Sequence, residues 1–333
     1  MAKIFVTGGA GYCGSRLVEQ LLLKGNEVVV YDIMYFNFDH LPKNNKNLKI
    51  IEGDIRNENL LEKSSKGCEI FVSLACISND ASFELDENLS KSINFDAFEP
   101  MVKIAKKNGI KRFIYASSSS VYGVSDKKNV REDHPLVPLT LYNKFKGMCE
   151  PILNGYGDDD FTVVTFRPAT VCGYSNRLRL DLSVNILTNH AINNKKILVF
   201  GGDQLRPNLH IQDYCDAIEL LISADKKLIN KEVFNVGYQN FSINEIALMV
   251  QKIVLEEFKE INELPIIKTN SDDKRSYHIN SDKIFEVLKF KPKYTIEDAI
   301  RDLCKAFKEN KIKNSFDNDI YFNVKRLKNL AAT

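Results

Sequence analysis

A tyrosine and a lysine four residues apart, Tyr142 and Lys146, have the spacing of a proton-abstracting pair. They lie in a helix predicted over 140–156, after Pro135 and Pro138, so both side chains share one helix face. A neighbouring ammonium favours the phenolate and lowers the pKa of the phenol from about 10, which makes it a usable base near neutral pH. Because this spacing also occurs by chance on helix surfaces, a second element is needed to give it a function.

Four consecutive serines supply that second element. The predicted strand 113–116 runs directly into Ser117 to Ser120, about twenty-five residues before the tyrosine–lysine pair. Ligands of open α/β sheets bind at the carboxyl ends of the strands. We therefore expect these hydroxyl groups to lie beside Tyr142 and Lys146.

A glycine-rich turn near the start of the chain predicts a dinucleotide site. The apolar run 3–7 ends in Gly8, Gly11 and Gly14, and an amphipathic helix is predicted over 15–24. Glycine allows the sharp turn, the close approach of a pyrophosphate and the packing of the helix on the strand. The phosphates would lie at the helix N-terminus. Tyr12 and Cys13, between the last two glycines, are expected to contact the cofactor as well.

An acidic residue follows the second predicted strand, which covers 27–31. Asp32 lies eighteen residues after Gly14. In dinucleotide-binding folds an acid at this place accepts hydrogen bonds from the adenosine ribose and repels a 2′-phosphate. The sequence therefore predicts NAD rather than NADP.

Strands and helices alternate beyond this first unit, which predicts a parallel sheet with helices on both faces. We expect an α/β fold, a Rossmann-type doubly wound parallel sheet with a smaller C-terminal substrate-binding domain. Residues 1–166 would form the NAD-binding domain and 167–333 mainly the substrate-binding cap, with 203–236 returning to the first domain. Further strands are predicted at 48–51, 70–74, 163–166, 197–200 and 232–236, and further helices at 57–65, 87–107, 184–193, 211–224, 244–258 and 296–308.

The composition argues against several classes of protein. The 46 Lys and Arg balance 44 Asp and Glu and are dispersed along the chain, so we expect no nucleic-acid or membrane surface. The seven cysteines are scattered without a Cys-x-x-Cys pair, which indicates reduced thiols and no metal site. With neither a signal-peptide pattern nor an apolar run near eighteen residues, the sequence predicts a cytoplasmic protein.

With these features the chain resembles the extended short-chain dehydrogenase/reductase family, in its NAD-dependent nucleotide-sugar epimerase and dehydratase branch. The resemblance covers nearly the whole chain and rests on the glycines, on Tyr142 and Lys146, and on three further stretches. It implies that Asp54 and Ile55 border the adenine and that Leu74 and Ala75 line the cofactor. Asn94 also matches a cofactor-binding position of that family.

The family's catalytic serine or threonine lies four residues before the tyrosine of a Ser-x-x-Val-Tyr-Gly stretch, which corresponds to Ser118. The resemblance implies that Ser118 hydrogen-bonds a sugar hydroxyl and that Tyr142 removes its proton. Lys146 would bind the nicotinamide ribose and lower the pKa of the phenol. NAD would accept the hydride.

The resemblance also implies a nucleotide-diphosphate sugar as substrate. Arg206 corresponds to an arginine that contacts the substrate diphosphate, and Arg275 is a second candidate for this contact. Guanidinium groups suit phosphate because their forked donors pair with two oxygens. Asn185 fits a nucleotide-contacting asparagine, and the positions next to Ser118, Ser119 and Ser120, would face the sugar.

Departures from the family narrow the reaction. Its 4,6-dehydratases carry Asp-Glu where this chain has Ser119 and Ser120, its sugar-acid decarboxylases keep a glutamate there, and its 3,5-epimerases place a cysteine at the position of Ser120. The reactions that remain are those at a single hydroxyl-bearing carbon, either epimerisation or simple oxidation and reduction. Thr170 replaces the asparagine of galactose epimerases, so neither the nucleotide nor the sugar can be named.

We therefore expect an NAD-dependent nucleotide-sugar epimerase, acting at carbon 4 through a transient 4-keto sugar, in the biosynthesis of surface polysaccharide precursors. The first alternative is a net oxidoreductase that consumes cofactor. The second is a non-catalytic NAD-binding protein, which the intact Ser118, Tyr142 and Lys146 disfavour.

The resemblance further implies a homodimer built from the helices 87–107 and 140–156. Their apolar residues exceed what cofactor contact alone would use; among them are Ile93, Phe98, Ile104, Leu141 and Phe145.

Overall fold

The computed structural model describes residues 1–125, 127, 129–270 and 278–332. Strands in these ranges are β1 (Lys3–Thr7), β2 (Glu27–Asp32), β3 (Leu48–Glu52), β4 (Ile70–Ser73), β5 (Arg112–Ala116), β6 (Thr162–Pro168), β7 (Thr170–Cys172), β8 (Ile197–Phe200), β9 (Leu205–His210), β10 (Glu232–Val236), β11 (Gln239–Ser242) and β12 (Ile266–Thr269). The α-helices are α1 (Tyr12–Leu23), α2 (Glu58–Ser65), α3 (Asp80–Phe83), α4 (Glu87–Lys91), α5 (Phe98–Lys107), α6 (Leu141–Tyr156), α7 (Ser183–Asn194), α8 (Ile211–Ser223), α9 (Lys226–Ile229), α10 (Ile243–Glu257), α11 (Asp282–Leu288), α12 (Ile296–Lys308) and α13 (Asn323–Ala331).

Seven parallel strands form the central sheet, in the order β10-β6-β5-β4-β1-β2-β3. Its inner strands are apolar on both faces, as in β1, where Ile4, Phe5 and Val6 are fully buried. That pattern is typical of a parallel sheet covered by helices on both sides. The Rossmann-type doubly wound fold expected from the sequence is confirmed. The strand order reverses between β1 and β4, and such a crevice is where ligands bind.

The later part of the chain builds a smaller layer beside this sheet. A three-stranded sheet, β11-β9-β7, and a parallel pair, β8 and β12, accompany the helices α7, α10 and α12, which share one apolar core. The chain also returns to the large sheet, because β10 is its edge strand and α8 packs on α1. Gln20 of α1, for example, donates hydrogen bonds to Asp216 and Glu219 of α8.

The helix predicted over 87–107 is not continuous. It consists of α4, a π-helical turn (Ser92–Asp96) and α5. Within that turn the Asn94 amide exchanges two hydrogen bonds with the backbone of Ile77, at 2.8 and 2.9 Å. Sequence periodicity cannot indicate this interruption, because its partner lies seventeen residues earlier in another loop.

Most of the apolar residues assigned to a dimer interface are buried inside the single chain. Ile93, Phe98 and Ile104 belong to the core beneath the sheet, and Phe145 packs against the rings of Phe83 and Phe95; none of the four is more than 8% exposed. They therefore give no evidence for a second subunit. Leu141, at 37% exposure, does lie at the surface.

The described ranges lack a membrane-spanning helix, a metal-binding cluster and a disulfide bond. They contain no helix long and apolar enough to cross a membrane. They also contain no cluster of His, Cys, Asp and Glu able to hold a metal ion. All seven cysteines fall within them, and all are free thiols.

Candidate active site

A cavity of about 370 Å³ opens at the carboxyl ends of β1, β2, β4 and β5. Its wall includes the first turn of α1, the ends of these four strands, and Tyr142 and Lys146 of α6. The crevice predicted by the reversal of strand order is therefore present as a cavity, which extends from the β2 end of the sheet to the serine-rich loop.

The glycine turn leaves room that no side chain could share. A Cβ on Gly14 would lie 2.1 Å from the carbonyl oxygen of Gly8, and one on Gly8, whose φ is +74°, would lie 2.7 Å from the Ala75 nitrogen. Helix α1 begins at Tyr12 rather than at Ser15, and its N-cap, Gly11, has no side chain to cap the free N–H groups. An uncapped N-terminus in a cavity wall suits an anionic ligand such as a pyrophosphate. Gly8, Gly11, Tyr12, Cys13 and Gly14 all line the cavity.

Acidic and apolar residues define one end of the cavity. Asp32 at the end of β2 accepts hydrogen bonds from the backbone N–H groups of Ala10 and Met34, both at 3.0 Å. Burial raises the pKa of Asp32 above its ordinary value, and these N–H groups counteract part of that rise. Asp54 and Ile55 lie in the same wall. The arrangement suits an adenosine.

The opposite end holds the three residues expected to do the chemistry. Ser118, Tyr142 and Lys146 all line the cavity. The Lys146 side chain is almost fully buried, and its Nζ donates to the carbonyl oxygen of Ala116 at 2.8 Å. This bond ties α6 to the end of β5, from which the serine loop starts. Leu74 and Ala75, at the end of β4, line the cavity between its two ends.

A smaller cavity of about 210 Å³ adjoins this end. Ser120, Asn143, Thr170 and Arg206 line it, so Arg206 lies on the side away from the adenosine end. Ser120 Oγ contacts Ser118 Oγ at 2.7 Å and also donates to Asn143 Oδ1. The two serine hydroxyls thus form one chain with the α6 amide.

Three residues expected to contact ligand have other roles. Asn94 uses both ends of its amide on Ile77 and does not line either cavity described. Asn185 is fully buried; its side chain accepts from the Gly173 N–H and donates to the Arg179 carbonyl, so it fixes the loop before α7. Ser119 is buried beneath the serine loop. Arg275 lies outside the described residues.

A buried ionic network beneath the serine loop escaped the sequence analysis. Glu150 of α6 pairs with Arg167 of β6 through two hydrogen bonds, at 3.0 and 2.6 Å. Ser117 Oγ donates to the same carboxylate at 2.6 Å, and Arg167 donates to the Tyr122 hydroxyl at 2.6 Å. The network therefore joins α6 to both ends of the serine loop. The only indication in the sequence is Glu150 itself, a glutamate on the buried face of helix α6.

Two other features of the cavities were also missed. Asp80 places a carboxylate in the walls of both cavities, where it accepts a hydrogen bond from Thr140 Oγ1 at 2.6 Å. Arg177 and Arg179 line the large cavity from the loop before α7. Their Arg-x-Arg-x-Asp spacing is visible in the sequence, but it falls in a segment without periodicity.

Comparison with known proteins agrees with this geometry. The profile of the NAD dependent epimerase/dehydratase family matches residues 4–237, which span the glycine turn, the serine loop and the Tyr142–Lys146 helix. The chain belongs to this family. It is thereby an NAD-dependent enzyme, and the cofactor expected from the sequence is confirmed.

Relatives within the family carry epimerase and dehydratase names. A UDP-glucose 4-epimerase of Lactobacillus helveticus is 27% identical over 340 residues, which cover 92% of this chain and 98% of the relative. The structure of MoeE5 in complex with UDP-glucuronic acid and NAD superposes with a TM-score of 0.80 at 25% identity, covering 92% and 99% of the two chains. A UDP-glucose 4-epimerase structure from Thermotoga maritima, with a TM-score of 0.82 at 23% identity and the same coverage, shares the fold.

NAD fits the residues present. The glycine turn and the uncapped α1 would hold its phosphates, and Asp32 would hold its adenosine ribose. Lys146 would contact the nicotinamide ribose. In this family the cofactor supplies reversible hydride transfer.

We predict that Glu150→Ala lowers the free energy of unfolding by about 3–5 kcal/mol, because it leaves the buried Arg167 guanidinium without its counter-charge. Chemical denaturation measures the loss. Glu256→Ala is the matched control, since it breaks an exposed pair with Arg301 and should cost at most about 1 kcal/mol. Equal losses in the two variants would contradict a structural role for the Glu150–Arg167 pair.

Proposed function

We propose that the protein is a nucleotide-diphosphate-sugar 4-epimerase that works through a transient 4-keto sugar in the biosynthesis of surface polysaccharide precursors. One observation carries the proposal: Ser118, Tyr142 and Lys146 line the same end of the cavity, while the two positions after Ser118 hold serines. The names of the relatives, among them UDP-glucose 4-epimerase, support this class of reaction.

The residues act on a single carbon of the sugar. The Tyr142 phenolate would take the proton of the C4 hydroxyl as the carbon–oxygen bond becomes a carbonyl, and bound NAD would supply reversible hydride transfer at C4. Lys146 would favour the phenolate through its positive charge, and Ser118 would hydrogen-bond the oxygen. Once C4 is reduced again from its opposite face, Tyr142 would give the proton back to the oxygen, which completes the inversion.

The smaller cavity suits the rest of the substrate. Arg206 offers a forked donor to the substrate diphosphate, and Thr170 lies between the two cavities, where it lines both. Asn143 accepts a hydrogen bond from Ser120, which contacts Ser118 at 2.7 Å, and these contacts would hold the serine loop against α6. These residues would orient the sugar, and Tyr142 would carry out the proton transfer.

We predict that Tyr142→Phe lowers turnover by about 10²–10⁴-fold, the usual contribution of a general base, with little change in NAD affinity. The assay mixes the protein with a panel of nucleotide sugars and measures sugar conversion together with the absorbance of NADH. Tyr156→Phe is the matched control, because that tyrosine lies at the far end of the same helix and bonds Glu99.

The same assay separates the two reactions that the sequence leaves open. Conversion of the sugar without net NADH supports epimerisation. Stoichiometric NADH with a released keto sugar would establish the net oxidoreductase instead. Full activity in Tyr142→Phe would show that the proposed base is wrong for either reaction.

We also propose that the protein is a homodimer in which α6 contributes to the interface. Two exposed apolar side chains, Leu141 and Met148, lie two turns apart on one face of this helix. Apolar side chains on a shared helix face are suited to burial against a second copy.

Light scattering at micromolar concentration should give about twice the 38.0 kDa mass of one chain. Met148→Glu should shift the mass toward the monomer, because it places a charge in the interface. Leu248→Glu, on the exposed face of α10, should leave the mass unchanged. A monomer in the unmodified protein would refute the dimer.

A further inference from the structure

Two arginines that the proposed mechanism does not use lie in the wall of the large cavity. Arg177 and Arg179 follow β7 in the loop before α7, and only 4% and 8% of their surfaces are exposed. Guanidinium groups are seldom buried so deeply unless they are paired. Their surroundings therefore indicate what they bind.

The two guanidiniums have few partners for their charge. Arg179 pairs with Asp181 at 2.8 Å and donates to Ser78 at 3.2 Å. Arg177 donates to the Asn323 side chain at 2.7 Å, and its guanidinium carbon lies 3.7 Å from the centre of the Phe36 ring. Neither contact neutralises the charge of Arg177.

Each arginine also keeps a buried nitrogen that is not hydrogen-bonded. Arg177 Nε and Arg179 Nη2 have no partner among the described residues. Burial, and after it the nearby charge of Arg179, lowers the pKa of Arg177 to about 9. Buried guanidinium nitrogens without a hydrogen-bond partner suit an anionic ligand in the cavity that they line.

The location of the pair identifies which anion. Arg177 interacts electrostatically with Asp32, at the adenosine end of the cavity. Burial lowers the pKa of Arg179, but Asp181 beside it, and more weakly Tyr142 and Cys13, give a net rise. Arg179 is therefore coupled to the reactive end and to the first turn of α1. Both side chains line the same cavity as Asp32 and Tyr142, which mark the expected positions of the two riboses of the dinucleotide.

We propose that Arg177 and Arg179 bind the pyrophosphate of NAD, from the side of the cavity opposite the N-terminus of α1. A pyrophosphate links the two riboses, so it must pass between Asp32 and Tyr142. Forked guanidinium donors pair with two phosphate oxygens each, and the α1 N–H groups supply donors from the other side. The cofactor would then complete the charge balance of the loop.

The C-terminal helix holds this pair in place. The Asn323 side chain accepts from Arg177 and donates to Ser78 at 2.8 Å, while its backbone N–H donates to Asp181 at 3.0 Å. Asn323 is thus a positioning residue for both arginines. Leu327 of the same helix also lines the cavity, so α13 forms part of the cavity wall.

The test uses the full chain, stripped of bound cofactor, in calorimetric titrations with NAD, ADP-ribose and adenosine, and with UDP and NADP as two further probes. NAD and ADP-ribose contain the pyrophosphate, and adenosine lacks it. Arg177→Gln and Arg179→Gln should each lower the affinity for NAD and for ADP-ribose by about 10- to 100-fold, which is the range of a lost charge-assisted hydrogen bond. The affinity for adenosine should change less than about twofold. Arg177→Lys should recover part of the loss, and the exposed Arg301→Gln should behave as the unmodified protein.

The melting temperature of the stripped protein distinguishes binding from folding. Arg177→Gln removes a buried charge whose described contacts are an amide and an aromatic ring, so this temperature should stay equal or rise, while the increase caused by NAD should shrink.

Several outcomes would overturn the proposal. Unchanged affinity for NAD and ADP-ribose would exclude the contact, and an equal loss for adenosine would show a general structural role. A loss of affinity for UDP alone would assign the arginines to the substrate diphosphate. A loss of affinity for NADP alone would assign them to a 2′-phosphate.

Discussion

The ion pair between Glu150 and Arg167 holds together the three parts of the chain that form the reactive end of the cavity. Glu150 lies one turn after Lys146 on α6, and Arg167 lies on β6. Their contacts with Ser117 and Tyr122 fix the serine loop between them. A buried pair of this kind contributes little net stability, but loss of one partner is costly, so it fixes one arrangement. The positions of the phenol, the ammonium and the serine hydroxyl relative to one another therefore depend on this pair.

Charge varies along the cavity in a way that matches a dinucleotide next to a second anionic ligand. Asp32 lies at one end, the uncapped α1 and the two buried arginines lie in the middle, and Lys146 lies at the other end. Arg206 then faces the adjoining cavity. One loop, 173–181, serves both regions, because Arg177 and Arg179 face the large cavity while Asp181 lines the small one. This loop therefore forms part of the wall of both cavities.

The sequence predicted features whose cause is local. The glycine turn is required by backbone geometry, and the spacing of Tyr142 and Lys146 follows from the helix period, so the Rossmann-type sheet and the cofactor were predicted correctly. Side chains whose direction depends on distant partners were not. Asn94 and Asn185 have the right residue type for ligand contact, yet each uses its amide on a backbone loop. Helix α13 is mainly polar, so its sequence does not indicate that Asn323 and Leu327 line the cavity.

We propose that the chemistry is confined to one carbon of the sugar. Turning over an active nucleotide sugar in D₂O, followed by NMR of the product, tests it directly. Because the described site would move a proton only on the hydroxyl oxygen, the product should contain no deuterium bound to carbon. Deuterium at the neighbouring carbons 3 or 5 would contradict the account, since it would require a base acting on carbon, a role for which the Asp80 carboxylate would then be the first candidate.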